Sequence, residues 1–324
     1  MIEQVVLFLI GLLVLVKGAD FLVEGSISLA RLFKVSDLVI GLTIVSLGTS
    51  LPELFVSILA SLDGNTDILI GNILGSNIAN ILLIGGAAAI FARIKILDST
   101  VWKELPLSLL AAVVVAILAN ELLIDGIAPP QLTRSDGLIL LSFFAIFLYY
   151  VYGMKQKSED PKHIIKPKHN LFVSVGYVLA GIIGLYLGGE FVVNGAIFIA
   201  QYLGVPQALI GLTIVAVGTS LPELVTSIVA ATKNNADLAV GNIVGSNIFN
   251  LFLVLGIASL INPIYFAPER NFDVIMVVIA SVALFLAAFL GKEKKTLTHR
   301  EGIIFLLLYL AYLAFLIYPE LSPQ

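Results

Sequence analysis

Gly41-Leu-Thr-Ile-Val-Ser-Leu-Gly-Thr-Ser-Leu-Pro-Glu53 recurs as Gly211-Leu-Thr-Ile-Val-Ala-Val-Gly-Thr-Ser-Leu-Pro-Glu223, at an offset of 170 residues. Each copy sets a glutamate, a proline and a cluster of hydroxyls inside an otherwise apolar segment. A charged side chain at the centre of a hydrocarbon layer costs roughly 2.5–3.5 kcal/mol on insertion scales. A chain that meets this cost twice, in the same local setting, has a use for both charges.

The duplication extends beyond the motif. Residues 7–90 align with 177–260 without a gap, and 39 of the 84 aligned pairs are identical, which makes the two stretches copies of one unit. A weaker echo follows, with Asp136-Gly137 opening one apolar run as Glu301-Gly302 opens another. Apolar runs of spanning length fall at 4–30, 37–62, 67–91, 104–122, 136–153, 171–200, 206–232, 237–261, 272–290 and 301–318. These divide into five per copy, and a unit with an odd number of crossings re-enters the membrane from the opposite side. The predicted fold is an all-α integral membrane protein of ten transmembrane helices in two inverted five-helix repeats. The repeats are residues 1–153 and 171–324, joined by a polar linker at 154–170. In secondary transporters, inverted repeats place substrate sites near the midplane, on discontinuous helices at the repeat interface.

Composition points the same way. The 324 residues are 59% hydrophobic and 12% charged, with a mean hydropathy of +1.05, and a water-soluble chain of this length needs far more polar surface. There are no cysteines, which excludes disulfides and thiolate metal sites. His163, His169 and His299 all fall in polar connections, which argues against an intramembrane metalloenzyme with His ligands. Glu3 is the only charge before Lys17, so the first apolar run reads as a retained spanning helix and not a cleaved signal peptide. The net charge of −4 matters less than its distribution. Alternate connections between the ten spans hold 15 of the 18 lysines and arginines, against two, Arg134 and Arg270, in the intervening ones. By the positive-inside rule both termini are extracellular and the 154–170 loop is cytoplasmic, in a multi-pass protein of the cell membrane.

Pro52 and Pro222 lack an N–H and their rings crowd the carbonyls of Gly48 and Gly218, so the Thr-Ser-Leu segment before each proline departs from regular helix. At membrane depth the freed carbonyls need protein, water or an ion. A plain structural kink is the alternative, but it leaves unexplained why each proline is followed at once by glutamate. Glu53 and Glu223 supply hard anionic oxygen. With the hydroxyls and freed carbonyls they match Ca²⁺, which takes 6–8 oxygen ligands, and the same donors suit Na⁺. They suit zinc or copper poorly. A second constellation follows each glutamate: Gly71-Asn72-Ile-Leu-Gly75-Ser76-Asn77-Ile-Ala-Asn80 recurs as Gly241-Asn242-Ile-Val-Gly245-Ser246-Asn247-Ile-Phe-Asn250. Asn72, Ser76 and Asn80 are spaced by four and line one helical face, as neutral oxygens for a cation or as interhelical hydrogen-bonding groups. Asn77 and Asn247 lie off that stripe and read as helix-packing residues. Lys17, Asp20, Glu24 and Glu190 read as solvated charges near helix ends, with a Lys17–Asp20 pair. Asp63, Asp67 and Asp237 fall in short connections facing water.

The two Gly-Thr-Ser-Leu-Pro-Glu segments, each followed by Gly-Asn-x-x-Gly-Ser-Asn-x-x-Asn, resemble the two α-repeats of the calcium/cation antiporter superfamily, and most of all its prokaryotic sodium/calcium exchanger branch. The resemblance covers nearly the whole chain. It implies a ten-helix antiporter with a core of broken helices 2, 3, 7 and 8, against which helices 1 and 6 slide. It implies a central Ca²⁺ site from the carboxylates of Glu53 and Glu223 and the backbone carbonyls of Thr49 and Thr219. It implies flanking Na⁺ sites from Ser50, Ser76 and the Ser46 carbonyl on one side, and from Ser220, Ser246 and the Ala216 carbonyl on the other, with Asn80 and Asn250 closing the centre. Some relatives, including potassium-dependent exchangers, carry Asp where Asn250 stands, so this chain has two fixed negative charges where they have three. The proton-coupled branch carries an acid within a Gly-Asn-x-x-Glu pattern, where this chain has Gly75 and Gly245.

The reading that follows is a secondary antiporter, not an enzyme, exchanging Na⁺ for Ca²⁺ by alternating access at a midplane carboxylate site. Proton/Ca²⁺ or other cation exchange on the same fold is the alternative. A cation channel is the competing class, and inverted repeats with broken helices favour a carrier. An intramembrane hydrolase would need an embedded histidine or a Gly-x-Ser-x-Gly turn, and the sequence has neither. No resident cofactor is implied, since Ca²⁺ and Na⁺ are cargo. The lipid bilayer is the partner, and neither nucleic acid nor an obligatory protein partner is inferred.

Overall fold

A long apolar run in hydrocarbon can satisfy its own backbone groups only by coiling, and the chain does so along most of its length. The computed structural model describes residues 2–126, 129–155, 167–205, 216–290 and 293–321. Among these, eight helices are long and apolar enough to cross a membrane. They are α1 (Glu3–Phe33), α4 (Thr66–Phe91), α5 (Thr100–Leu118), α6 (Arg134–Met154), α7 (Leu171–Tyr202), α9 (Ala236–Ile261), α10 (Pro268–Leu290) and α11 (His299–Tyr318). A ninth crossing is a bent pair, α2 (Asp37–Thr49) and α3 (Leu51–Leu62), which meet at 48°. A shorter apolar helix, α8 (Leu221–Thr232), stands where α3 stands in the first repeat. The first part of the predicted seventh span, 206–215, lies outside the described residues, as does His163. The chain is an all-α membrane protein.

Boundaries follow local chemistry. The side chains of Ser36, Asn65, Asn170 and Asn235 each accept a hydrogen bond from the backbone N–H three residues on, capping α2, α4, α7 and α9. The fourth predicted span, 104–122, instead starts at Thr100, because a π-helical turn at Thr100–Glu104 draws Lys103 into the helix. One expectation is corrected. Spans three and eight, predicted to be broken, run through as α4 and α9. Each carries only a wide π-helical turn, at Ala79–Ile84 and Phe249–Val254, so the extra residue is absorbed without interruption.

The connections also obey the duplication. Two antiparallel ribbons of two residues per strand pair β1 (Ile94–Lys95) with β4 (Thr296–Leu297), and β2 (Gln131–Leu132) with β3 (Ile264–Tyr265). Each ribbon therefore ties one repeat to the other. Gly86 packs against the Gly302 carbonyl, and Gly256, its repeat equivalent, against the Gly137 carbonyl.

α1 and α7 lie antiparallel along a seam of glycines spaced by seven, Gly11, Gly18 and Gly25 against Gly181, Gly188 and Gly195. Small residues let backbones approach where lipid offers no hydrophobic drive for association. A Cβ on Gly181 would sit 2.5 Å from the Leu22 nitrogen, and one on Gly188 2.6 Å from that of Leu15. The end of the linker is pinned to the same pair. The Glu24 carboxylate lies 2.7 Å from Lys168 Nζ and 2.8 Å from His169 Nε2, and the His169 ring stacks on Tyr177. Glu24 is thus not simply solvated, as its place near a helix end suggested. The hydrogen bond to Glu24 holds the Lys168 ammonium above the usual lysine range.

Gly181→Val is expected to cost about 1–3 kcal/mol, the range for overpacking a close contact. It should lower the thermal midpoint in detergent by several degrees. Gly176→Val, where an added Cβ meets open space, should leave the midpoint unchanged.

Candidate functional site

Each proline ends one helix segment and starts another. Ser50 (φ −85°, ψ 8°) and Ser220 (φ −89°, ψ 5°) sit at the breaks, and Glu53 and Glu223 fall in the first turns of α3 and α8. An N-terminal turn is where a carboxylate is best accommodated by unpaired N–H groups. Both glutamates are buried, each 1% exposed.

The two halves hold each other. Ser50 Oγ donates to Glu223 Oε1 at 2.9 Å, and Ser220 Oγ lies 3.3 Å from Glu53 Oε1. Ser76 Oγ is 3.4 Å from the same Glu53 oxygen and 3.2 Å from Ser220 Oγ. The serine of each repeat thus serves the carboxylate of the other. Asn72 and Asn242 brace the breaks. Asn72 Nδ2 donates to the Glu53 carbonyl and to Ser57 Oγ, while its Oδ1 accepts from Thr219. Asn242 repeats this with Glu223, Ser227 and Thr49. Ser57 and Ser227 were missed in the sequence reading. Their signal was present, since both follow their glutamate by four residues and so return to its helical face.

Other predicted residues separate by role. Asn80 and Asn250 lie inside the π-helical turns of α4 and α9, and Asn80 Nδ2 donates to Asn247 Oδ1 at 3.0 Å across the repeats. Asn247 therefore packs helices as expected, whereas Asn77 turns back to the Ile73 carbonyl of its own helix. Ser46 lies apart from the serine–glutamate network. Its hydroxyl faces the carbonyls of Gly41, Gly241 and Asn242, and its own carbonyl accepts from the Ser50 N–H and the Thr49 hydroxyl. Ala216 opens the turn Ala216–Gly218. Ser246 is buried on α9, one turn before Asn250.

What the centre lacks is as informative as what it contains. Glu53 Oε2, Glu223 Oε2, Ser246 Oγ, Asn80 Oδ1 and both polar side-chain atoms of Asn250 are buried without a hydrogen-bond partner. Buried polar groups in folded proteins are paired almost without exception. Five of these six atoms are oxygens, two of them carboxylate, a donor set of the kind that hard cations take. A cavity of about 220 Å³ is lined by Pro52, Val56, Glu190, Asn194, Thr219 and Pro222 among others, and so reaches the breaks. Thr219 and Pro52 are partly exposed there, while their repeat equivalents Thr49 and Pro222 are buried.

The comparisons with known proteins agree with this geometry. A family model described as sodium/calcium exchanger protein matches residues 3–153 and 173–318. A putative antiporter, CaxA, from Alkalimonas amylolytica is 37% identical over 96% of this chain and 98% of its own length. The sodium/calcium exchanger MaX1 of Methanosarcina acetivorans is 32% identical over 96% of this chain and 98% of its own. The structure of the sodium–calcium exchanger NCX_Mj, soaked with Na⁺ and Sr²⁺, superposes with a TM-score of 0.81 at 35% identity, covering 97% of this chain and 98% of that one. A duplicated Pro-Glu break, a buried oxygen site shared by two repeats and matches over nearly the full length lead to one conclusion: the chain belongs to the sodium/calcium exchanger family.

Proposed function

We propose that the protein is a ten-helix, inverted-repeat antiporter that exchanges Na⁺ for Ca²⁺ across the cell membrane, with both termini outside and the 154–170 loop in the cytoplasm. The observation that carries this reading is the set of unpartnered buried oxygens between Glu53 and Glu223. Ca²⁺ as cargo would be held by the two carboxylates and the carbonyls of Thr49 and Thr219. Na⁺ would be held by Ser50, Ser76 and the Ser46 carbonyl on one side, and by Ser220, Ser246 and the Ala216 carbonyl on the other, with Asn80 and Asn250 between. Of these, Ser46 is the least accessible, since its carbonyl already accepts two hydrogen bonds.

Coupling follows from electrostatics. Two carboxylates in a medium of low dielectric repel each other, and an empty, doubly charged site resists transfer between access states. One Ca²⁺ or several Na⁺ neutralise it, so loaded carriers cross readily and empty ones reluctantly. The ions compete for the same oxygens, and that competition is the exchange. Protons would compete for the same carboxylates, which makes proton/Ca²⁺ exchange the second reading. Glycines at positions 75 and 245, where the proton-coupled branch has an acid, favour Na⁺.

In proteoliposomes, Ca²⁺ uptake is expected to follow an imposed Na⁺ gradient and to ignore an imposed pH gradient. Glu53→Gln and Glu223→Gln should each lower Na⁺-driven uptake by at least about tenfold, since a tenfold change corresponds to only 1.4 kcal/mol. Uptake unchanged in both variants, or driven by pH alone, would overturn the assignment. Ca²⁺ at a hundredfold excess over its Kd should add about 2.7 kcal/mol of stability and raise the thermal midpoint of the unmodified protein. In Glu53→Gln that rise should largely vanish.

A further inference from the structure

The two repeats match in sequence, yet the two approaches to the site differ. On the open approach, Val56 and Glu190 line the cavity. Their repeat equivalents are Thr226 and Asp20. Thr226 is fully buried on α8, which packs against α1. Asp20 on α1 meets Lys233 at the end of α8, with Nζ to Oδ1 at 2.9 Å. Lys17 also approaches Asp20, at 3.7 Å, but it lies on the same helix and moves with it. Among the described residues, Lys233 alone makes an ion pair between α1 and the segment that carries Glu223.

The repeat equivalent of Lys233 is Asp63. By repeat equivalence, the corresponding pair on the open approach is Asp63 and Glu190, two carboxylates. If the repeats exchange conformations, so that the closed approach opens and the open one closes, the sealed end has no ion pair and gains a like-charge encounter. We propose that Lys233 and Asp20 form a one-sided latch: they stabilise closure on the face that carries Lys233, and no counterpart stabilises closure on the other. The empty carrier then rests with its site open toward the cavity side. This inference rests on the alternating-access reading above and adds a conformational bias to it.

The natural absence of cysteine allows a direct test. Single reporters, Val56→Cys on the open approach and Thr226→Cys on the closed one, are labelled with a polar maleimide in nanodiscs, in Na⁺-free and Ca²⁺-free medium. Lys233→Gln is expected to raise Thr226→Cys labelling and lower Val56→Cys labelling by about two- to five-fold, the population shift that a partly exposed ion pair supports. The charge swap Asp20→Lys with Lys233→Asp should restore both rates. Asp63→Lys, which supplies the missing latch opposite Glu190, should raise Thr226→Cys labelling in the same way. Unchanged rates in Lys233→Gln, or a monodisperse swap that fails to restore them, would overturn the latch. Labelling requires no ion flux. A protein that shifts labelling but shows no Na⁺-driven Ca²⁺ uptake keeps the latch and loses the ion assignment, and the reverse pattern does the opposite.

Discussion

Two buried carboxylates, each held by the serine of the other repeat, set the terms for the rest of this structure. Ser50 serves Glu223 and Ser220 serves Glu53, so neither repeat is electrostatically complete alone. A half molecule would leave a carboxylate in hydrocarbon with its partners missing, at a cost of several kcal/mol. The breaks at Ser50 and Ser220 exist because a regular helix would direct these hydroxyls along its own backbone. The asparagines of α4 and α9 then hold each break open by binding the glutamate carbonyl and a serine on the same face. Even so, one oxygen of each carboxylate stays unpaired. The protein satisfies the site enough to fold, and the remaining oxygens are the ones proposed above to hold a cation.

Most of this was legible in the sequence because the duplication acts as an internal control. A lone proline before a glutamate supports several readings; two at the same offset support few. Most span positions among the described residues, and the gathering of Glu53 and Glu223 into one buried network, followed from periodicity and repetition. The π-helical turns did not. They depend on how Asn80 and Asn250 sit against the opposite repeat, and the apolar pattern around them reads as continuous helix either way. Asn77 and Asn247 illustrate a similar limit. They are repeat equivalents in similar local sequence, yet Asn247 Oδ1 accepts across the repeats whereas Asn77 Nδ2 donates to its own helix. Local sequence fixes a donor and an acceptor, but not which of two available partners is used.

Glu24 and Asp20 show where single-residue reasoning misleads. Each reads as a solvated charge near a helix end, Asp20 in a pair with Lys17 that the structure keeps at 3.7 Å. Each in fact pairs with a distant basic residue, Lys168 and Lys233 respectively. Such pairs are weak individually when exposed. Their use here is geometric, because both act on α1, which meets α7 along a glycine seam closed by a Ser28–Ser174 hydrogen bond and, among the described residues, contributes no hydrogen-bonding group to the serine–glutamate network. A helix pair joined by close van der Waals contact, and to the core by few polar ties, can shift against that core without breaking the site's hydrogen bonds.

The same duplication raises a final point about symmetry. Two identical repeats would give two access states of equal energy, related by the twofold, and an empty carrier would divide itself between them. The structure shows one such state, with Thr49 and Thr226 fully buried while Thr219 is partly exposed and Val56 lines the cavity. Any preference between the two states must come from positions where the repeats differ. Within the site the differences are small, chiefly Ser46 against Ala216. At the ends of the broken helices they are large, since Lys233 against Asp63 exchanges a positive charge for a negative one. The proposed site is thus nearly symmetric between the repeats, and the latch places any preference for one face in charges at the periphery, away from the serine–glutamate network.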